Sequence, residues 1–466
     1  MKRWFPFAPA FVGAALLLIA ASLAQAQEPV TGTASGDTVR VAPPTGERET
    51  DRASILAALE LVQSDGTIHF APGTYLVGEL IRVTVPGITL QGHPDGTTLR
   101  GCEPEEFVEM KVALYACNGL EPTGGRQTVR GLTFEYAWHA LHIGCCAVRN
   151  EAEFQSRMDG ERLEPSRVGG YRVEDNTFRY VQNGIRVVGE ADEPTVVRGN
   201  RFIDTYHAIV VNGRTVHFLD NEVTTPDPAW VPNTGHPGGA VALTPFNMSG
   251  DLTSCANNVV AGNRIEGHPD AIVILAQPGT ACRHNVIRDN TIAVKRVRIP
   301  ASSTAVLRRD ERDSTVVGIP ISLSNLSTPM FGPREEAAPT GVMQDNVIEG
   351  NRVLGAEGVG IQLLHASRNR ILNNTISGIV PRDPFPGNTL LPPPAWREAN
   401  GAGVWISPDS HENEIVGNTF ADIAAHAIVV EGDGNIVEIR SAADTVRNLG
   451  ADNQVRGPNG TSPRDP

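Results

Sequence analysis

The sequence predicts an all-β protein, a single-stranded right-handed parallel β-helix (a solenoid) with a short N-terminal capping helix. An asparagine followed two residues later by an apolar residue recurs along the chain, with shortest spacings of 21 to 27 residues. A period of this length is typical of a solenoid in which each repeat forms one coil. The asparagines are Asn176, Asn200, Asn221, Asn263, Asn290, Asn351, Asn374 and Asn418.

Apolar columns accompany these asparagines. The residues three positions before and two positions after each of them are apolar without exception. A second apolar run begins nine or ten positions after most of them, as at Ile185, Ile209 and Ile428, and predicts a further short strand. One coil cannot bury its own apolar side chains, whereas coils stacked about 4.8 Å apart form a continuous core.

The asparagines themselves are predicted to form an internal ladder. Asparagine tolerates the left-handed turn between strands, and its amide can donate to one neighbouring coil and accept from the other. A second column five residues upstream repeats the pattern, at Asn258, Asn285, Asn346, Asn369 and Asn413.

The cysteines test this register independently. Cys255 lies eight residues before Asn263, and Cys282 lies eight residues before Asn290, so the two cysteines occupy equivalent places on successive coils. One coil step of about 4.8 Å falls within the Cα separation that a disulfide requires. We therefore predict a Cys255–Cys282 disulfide. The pairing of the remaining cysteines is left open by the sequence: Cys102, Cys117, Cys145 and Cys146.

The ends of the chain indicate export. Residues 1–26 combine a basic start, an apolar run and small residues before a cleavage point, which is the pattern of a signal peptide. We expect a linker at 27–49, the β-helix with its cap at 50–440, and a C-terminal tail at 441–466. These features predict a secreted or periplasmic, monomeric protein that does not insert into a membrane.

The net charge of the chain indicates which classes of partner it is not expected to bind. The formal charge is −14, and it becomes −16 once Lys2 and Arg3 are removed with the signal peptide. An acidic protein of this kind is not expected to bind nucleic acid or anionic membranes.

A predicted amphipathic helix at residues 50–63 precedes the repeats and would cover the open end of the core. The turn that follows it reads Ala71-Pro72-Gly73-Thr74-Tyr75. With this cap, this turn and the repeat, the chain resembles the pectin-lyase-like superfamily over roughly residues 37 to 440. The resemblance implies the fold but not an activity. The polygalacturonase motifs and the Asp-Pro-His-Asp/Glu signature of mannuronan epimerases are absent, and the nearest string is His268-Pro269-Asp270.

Three expanded links between strands, at residues 224–239, 294–318 and 379–401, are predicted to leave the helix at one corner and to wall a groove. They could equally be tolerated insertions. The 294–313 stretch carries a net charge of +3. Tryptophans in or after these links are candidates for a sugar-stacking platform, and His236 lies in the first link. The candidates are Trp230, Trp396 and Trp405.

A polar column is predicted just before the second strand of successive coils. It reads His139, Asn183, His207, Gly239, Asp270 and His426. Such a column is commonly a turn-stabilising feature. Its functional interpretation depends on Gly239, which leaves a gap between His207 and Asp270, two coil steps or about 10 Å apart. His142 and Arg186 are expected on outward positions nearby, and Tyr206 at the adjoining corner.

These residues have the chemistry that uronate sugars require. Breaking a uronic-acid chain by β-elimination, or inverting C5, requires a neutralised carboxylate, a base and a proton donor. Arg186, His207 and Tyr206 are the candidates in that order, and Asp270 could also hold a calcium ion that bridges to the sugar carboxylate.

The leading hypothesis is therefore a lyase or C5-epimerase acting on an acidic polysaccharide. The alternative is a non-catalytic β-helix that binds glycan or serves as a cell-envelope module. A periplasmic copper-maturation β-helix ranks last, because methionine is scarce and no His or Met cluster has ligand spacing.

Overall fold

The computed structural model describes residues 37–107, 117–144, 168–226, 239–245, 254–268, 270–295, 297–299, 314–316, 318–325, 341–382 and 399–458. Within them the chain winds into a right-handed parallel β-helix, as the repeat predicts. The predicted signal peptide at residues 1–26 lies outside the described part.

The first sheet runs along one side of the stack, and all its strands are parallel. Its strands are Thr38–Arg40, Thr67–His69, Thr89–Gln91, Thr128–Arg130, Arg172–Glu174, Thr195–Arg198, Val216–Leu219, Val259–Ala261, Val286–Arg288, Val347–Glu349, Arg370–Leu372, Glu414–Ile423, Ile436–Ile439 and Gln454–Arg456.

The second sheet follows the first across the asparagine corner of each coil. The long strand Glu414–Ile423 pairs with both sheets and joins them. The other strands of the second sheet are Gly73–Leu76, Thr97–Arg100, Thr133–Glu135, Thr177–Arg179, Arg201–Ile203, Glu222–Thr224, Arg264–Glu266, Thr291–Ala293, Arg352–Glu357 and Thr375–Val380.

The third sheet contains 12 strands in the described residues and corresponds to the second apolar run of each repeat. Its strands are Ile81–Val83, Asn118–Pro122, His139–Gly144, Asn183–Gly189, His207–Gly213, Val241–Leu243, Ile272–Ala276, Ile321–Asn325, Val359–Leu364, Ala402–Ile406, Ile428–Val430 and Val446–Asn448.

Two smaller sheets complete the strands of the described part. One is parallel and consists of Ser254–Ala256, Ala281–Arg283 and Val342–Gln344; the other is an antiparallel pair, Val297–Ile299 with Ser314–Val316.

Inward-facing side chains form one continuous core. Phe134, Phe178 and Phe202 stack on successive coils, with ring centroids 5.0 and 4.7 Å apart. Burial of each such side chain contributes about 1.5 to 3 kcal/mol, and equal spacing of the coils lets identical positions pack on one another. The apolar columns read from the sequence are therefore core columns.

The N-terminal helix, Arg48–Leu61, confirms the predicted cap with bounds shifted by two residues. Its Ile55 and Ala58 are buried against the first coils. The buried carboxylate of Asp51 accepts hydrogen bonds from the backbone N–H of Thr45 (2.7 Å) and of Leu76 (3.0 Å), which fastens the helix to the coil below it. A second, one-turn helix spans Pro104–Phe107. Among the described residues, no helix is long and apolar enough to cross a membrane.

The stack extends beyond the domain bounds expected from the sequence. Thr38–Arg40 lies in the expected linker but pairs with Thr67–His69. Beyond residue 440, Val446–Asn448 and Gln454–Arg456 still pair with the third and first sheets. Short polar coils carry little apolar signal, which is why composition alone placed both boundaries too far inward.

The predicted asparagine ladder is confirmed. The side-chain amide of Asn263 donates to Asn290 Oδ1 (2.9 Å) and to the carbonyl of Phe218 (2.9 Å), while its own Oδ1 accepts from the backbone and side chain of Asn221. The second column forms the same ladder and continues to Asn435 and Asn453.

The conformational reason for the ladder differs from the one expected. The left-handed residue is the one directly before each asparagine of the first column, and not the asparagine itself. These residues are Asp175, Gly199, Asp220, Gly262, Asp289, Gly350, Asn373 and Gly417, with φ between 52° and 71°.

Two disulfides are present in the described residues. Cys255 pairs with Cys282, as predicted, and the two residues are register partners with a Cα separation of 4.5 Å. Cys102 pairs with Cys117, one of the pairings that the sequence left open. Disulfides persist in oxidising compartments, which agrees with the predicted secreted or periplasmic location.

Replacing Asn263 by alanine should lower the free energy of unfolding by about 2 to 4 kcal/mol, because buried groups above and below lose their partners. The adjacent exposed Arg264→Ala is the matched control, since an exposed ion pair contributes about 0 to 1 kcal/mol. Urea midpoints of the two variants measure the difference, and equal midpoints would contradict a supporting role for the ladder.

The double variant Cys255→Ser/Cys282→Ser should be less stable by about 3 to 4 kcal/mol, from the chain entropy of a loop with a sequence separation of 27 residues. Thermal melts with and without reductant measure this. Reductant should lower the melting temperature of the wild type more than that of the double variant, and the opposite order would show that this disulfide does not stabilise the fold.

Candidate functional site

The outer face of the third sheet carries the predicted polar column. Strand register aligns His139 with Asn183, and Asn183 with His207. The next two coils continue this register and bring Gly239 and then Asp270 into the same column. The structure therefore confirms the predicted order, including a glycine between His207 and Asp270.

Basic side chains converge on this face. His139 and His142 lie three residues apart on one strand, with ring centroids 5.2 Å apart, and Arg186 is the register partner of His142. Burial lowers the pKa of His139 well below its usual value, and the positive charges of His142, Arg186 and His207 lower it further. His139 is thus neutral at pH 7, and Arg186 is the permanent cation of the cluster.

Arg186 is held by a residue that the sequence analysis missed. Its Nε donates to Asn212 Oδ1 (3.1 Å), and Asn212 Nδ2 donates in turn to the carbonyl of Thr244 (2.7 Å). Asn212 lies five residues after His207, an outward position on the next coil, so the strand period could have found it.

His207 and Tyr206 form the centre of the column. Their rings are 4.3 Å apart, and Tyr206 is 6% exposed. The Nδ1 of His207 lies 2.7 Å from the carbonyl oxygen of Gly239 and donates to it. In the neutral ring this assigns the lone pair to Nε2, the nitrogen that would act as a base.

Asp270 is a titratable group near neutral pH. Burial raises its pKa to about 6, opposed by the hydrogen bond that its carboxylate accepts from the Ile319 N–H (2.9 Å) and by the charge of Arg382. A carboxyl with this pKa can both give and take a proton at physiological pH. Neither the influence of Arg382 nor the bond to Ile319 could be read from the sequence, because both residues come from later coils.

The imidazole of His268 connects two parts of the column. It is fully buried, its Nε2 lies 2.8 Å from the carbonyl oxygen of Tyr206, and its Nδ1 contacts both the carbonyl oxygen and the N–H (3.3 Å) of Asp270. Burial lowers its pKa to about 4, so the ring is neutral at pH 7.

Trp405 does not form the predicted stacking platform. Its side chain is 0% exposed, its indole N–H donates to Glu431 (2.7 Å), and it packs with Val359, Ala399 and Val429 on the outer side of the third sheet. The prediction of an exposed face was wrong here because an outward strand position need not face solvent when further chain covers it. The other proposed platform residues, Trp230, Trp396 and His236, lie outside the described residues.

The three expanded links leave the stack between the second and third sheets, at the same corner, as predicted. They follow the strands Glu222–Thr224, Thr291–Ala293 and Thr375–Val380 and precede strands of the third sheet. Most of their residues, including most of the positive charge expected in the 294–313 stretch, lie outside the described part.

A metal centre is not assembled by the described residues, since no group of three or more His, Cys, Asp or Glu side chains among them could hold an ion. The suggested calcium site at Asp270 remains an untested expectation.

Fold and site together define the class: a right-handed parallel β-helix protein with a basic and titratable column on its third sheet. Residues 338–439 match a family described as periplasmic copper-binding protein (NosD). No curated protein matches the chain.

Solved structures of similar architecture include three with different roles in their printed descriptions. The Dettilon tailspike protein has a TM-score of 0.48 and 12% identity, covering 88% of this chain and 68% of its own. DFA-IIIase from Arthrobacter chlorophenolicus has a TM-score of 0.46 and 12% identity, covering 86% of this chain and 94% of its own. PfbA, a surface adhesin of Streptococcus pneumoniae, has a TM-score of 0.42 and 11% identity, covering 89% of this chain and 91% of its own. These likenesses concern the fold alone.

The variant Asp270→Asn should change stability with a defined pH dependence. An aspartate with a raised pKa favours folding when protonated, so this contribution is present below about pH 4 and is lost as the pH rises through about 6. The free energy of unfolding of the variant, relative to wild type, should therefore increase by up to about 3 kcal/mol between pH 4 and pH 7.

Urea unfolding at several pH values measures this difference, with the exposed Asp289→Asn as control. Asparagine keeps an oxygen to accept the Ile319 N–H, so the test isolates the charge. A pH-independent difference for Asp270→Asn would show that this carboxyl is not titrating near pH 6.

Proposed function

We propose that the protein is a secreted or periplasmic carbohydrate-active enzyme, a lyase or C5-epimerase of a uronate-containing polysaccharide. The observation that carries the proposal is the convergence of Arg186, His139, His142 and His207 on one outer face, with Asp270 further along the same column. A cationic cluster beside two proton-transfer groups suits a substrate that carries a carboxylate next to an acidic C–H bond.

Each chemical step has a candidate residue. The guanidinium of Arg186, oriented by Asn212, neutralises the sugar carboxylate and so lowers the barrier to losing the C5 proton. Nε2 of His207 takes that proton, because Nδ1 is engaged with Gly239. For elimination, the C5 electron pair forms the C4–C5 double bond, the bond from C4 to the glycosidic oxygen breaks, and the Tyr206 hydroxyl protonates that oxygen.

Epimerisation needs one different step from the same groups. The C5 carbanion must receive a proton on the face opposite to the one that His207 has deprotonated. Asp270, whose pKa is about 6, carries a proton in an appreciable fraction of molecules at neutral pH and is the second proton-transfer group of the column. The balance between breaking the C4–O bond and returning a proton to C5 decides which of the two products forms.

Local charge supports an anionic substrate although the whole chain is acidic. A single buried or half-buried guanidinium interacts with a carboxylate more strongly than distant surface charges, which salt screens within about 10 Å at 0.1 M. The acidic remainder of the surface can favour release of a polyanionic product.

Copper binding is a second candidate function, favoured by the family match over residues 338–439. The described residues of this stretch do not assemble a group of three potential copper ligands among their His, Cys, Asp and Glu side chains. A non-catalytic glycan-binding or cell-envelope role is the outcome that the following experiment separates from the enzyme.

Purified mature protein should be incubated with alginate, pectate and glycosaminoglycans, with and without calcium. A lyase will produce the ultraviolet absorbance of a C4–C5 unsaturated uronate, and an epimerase will incorporate deuterium at C5 from heavy water. His207→Ala should reduce either rate by about 100- to 10,000-fold, the contribution typical of a general base.

The matched control is His217→Ala, a histidine on the outer face of the first sheet and away from the column. Binding of a polymer without either product, unchanged in His207→Ala, would replace the enzyme by a glycan-binding module. Equal loss of rate in both variants would place the chemistry elsewhere.

A further inference from the structure

At one corner of the β-helix, a side chain contacts a backbone carbonyl that no backbone N–H of the described residues reaches. At the neighbouring corners, a carbonyl of one coil accepts from an N–H of the next: Val181 from Tyr206 (3.2 Å) and Gln182 from His207 (3.0 Å). The coil after Tyr206 carries the expanded link from Thr224 to Gly239 at this corner. The Tyr206 carbonyl oxygen lies instead 2.8 Å from Nε2 of the imidazole of His268, which belongs to the coil beyond.

We infer that His268 is a positioning residue, a side-chain bridge that spans the interrupted coil and fixes the separation between Tyr206–His207 and Asp270. Its two nitrogens contact the backbone on either side of the gap: Nε2 contacts the carbonyl that directly precedes His207, and Nδ1 contacts the backbone N–H of Asp270. This inference rests on the proposed function for its role in catalysis, while the bridge itself is a structural statement.

Both nitrogens of the ring contact backbone. Nε2 lies against the Tyr206 carbonyl oxygen, and Nδ1 lies against both the carbonyl oxygen and the N–H of Asp270. A neutral imidazole donates at one nitrogen, so one of the two carbonyls accepts from the ring. The ring is fully buried, so water cannot readily replace it. Its neighbour Pro269 lies outside the described residues, and the chain from Asp270 leads directly into the strand Ile272–Ala276.

The gap that His268 spans lies beside a residue without a side chain. The carbonyl of Gly239 accepts from Nδ1 of His207, and the next residue, Ala240, donates its N–H to the carbonyl of Asp270 (2.9 Å). The His268 imidazole and Gly239 thus form one hydrogen-bonded unit with His207 and Asp270 across three coils. Losing the bridge would let His207 and Asp270 move relative to one another, and misplacement of a reacting group by about 1 Å can cost about 100-fold in rate.

The test compares His268→Ala with His268→Gln, whose amide can still donate to the Tyr206 carbonyl. We expect His268→Ala to lower kcat by about 100-fold with little change in KM, since substrate contacts remain. The alkaline limb of the pH profile of epimerisation should move to lower pH, because Asp270 acts in its protonated form and water reaching it reduces the desolvation that raises its pKa. His268→Gln should recover most of both changes.

Gln127→Ala is the matched control. The Gln127 side chain is 1% exposed and also bridges backbone, donating to the carbonyls of Val83 (2.9 Å) and Val85 (2.7 Å), but it lies away from the column. It should lose stability without a change in the pH profile. Equal effects of Gln127→Ala and His268→Ala on kcat and pH profile would overturn the positioning role. If His268→Ala fails to fold, His268→Asn replaces it, because its side chain is too short to reach Tyr206.

Hydrogen exchange separates this inference from the proposed function. The amides of His207 and Asp270 should exchange faster in His268→Ala than in wild type, and His268→Gln should restore protection. Unchanged exchange would overturn the bridge whatever the activity. A wild-type protein inactive on every polymer would overturn the proposed function and the catalytic role of His268, and faster exchange in that case would retain the bridge alone.

Discussion

The buried side-chain amides of the asparagine ladder are the interaction on which the rest of the structure depends. Each interior amide of the ladder donates to the coils on both sides and accepts from one of them, so the hydrogen bonds hold successive coils at one rise and in one register. A slip by one residue would expose the core columns and bury polar ones. The register set at the asparagine corner also fixes the register of the third sheet, where the polar column lies.

Because the register is fixed, the position of a residue within its repeat determines which residues lie next to it on the neighbouring coils. His139, Asn183, His207 and Asp270 are far apart in the chain and lie in one column because the register of the third sheet is kept from coil to coil. The scaffold can therefore present a row of polar side chains without deforming. Where the coil after Tyr206 expands, the buried imidazole of His268 contacts the Tyr206 carbonyl.

Columns and pairings within the repeat were predictable from sequence, because they depend on spacing alone: the core positions, the ladder and the Cys255–Cys282 disulfide. Features that depend on which residues cover a position were not predictable from the sequence. Trp405 is outward on its strand and yet buried, and the raised pKa of Asp270 results from its surroundings. The bridge of His268 was also missed, since it pairs with a residue 62 positions away across an irregular corner.

The column combines one permanent cation with groups whose charge depends on burial, and this combination constrains its chemistry. Burial lowers the pKa of His139, and the positive charges of His142, Arg186 and His207 lower it further, so this ring is neutral at pH 7. In the proposed function, Arg186 holds the anion, and His207 and Asp270, whose pKa is raised to about 6, transfer protons. Binding and proton transfer would then be carried by different residues of one column, as uronate elimination or epimerisation requires.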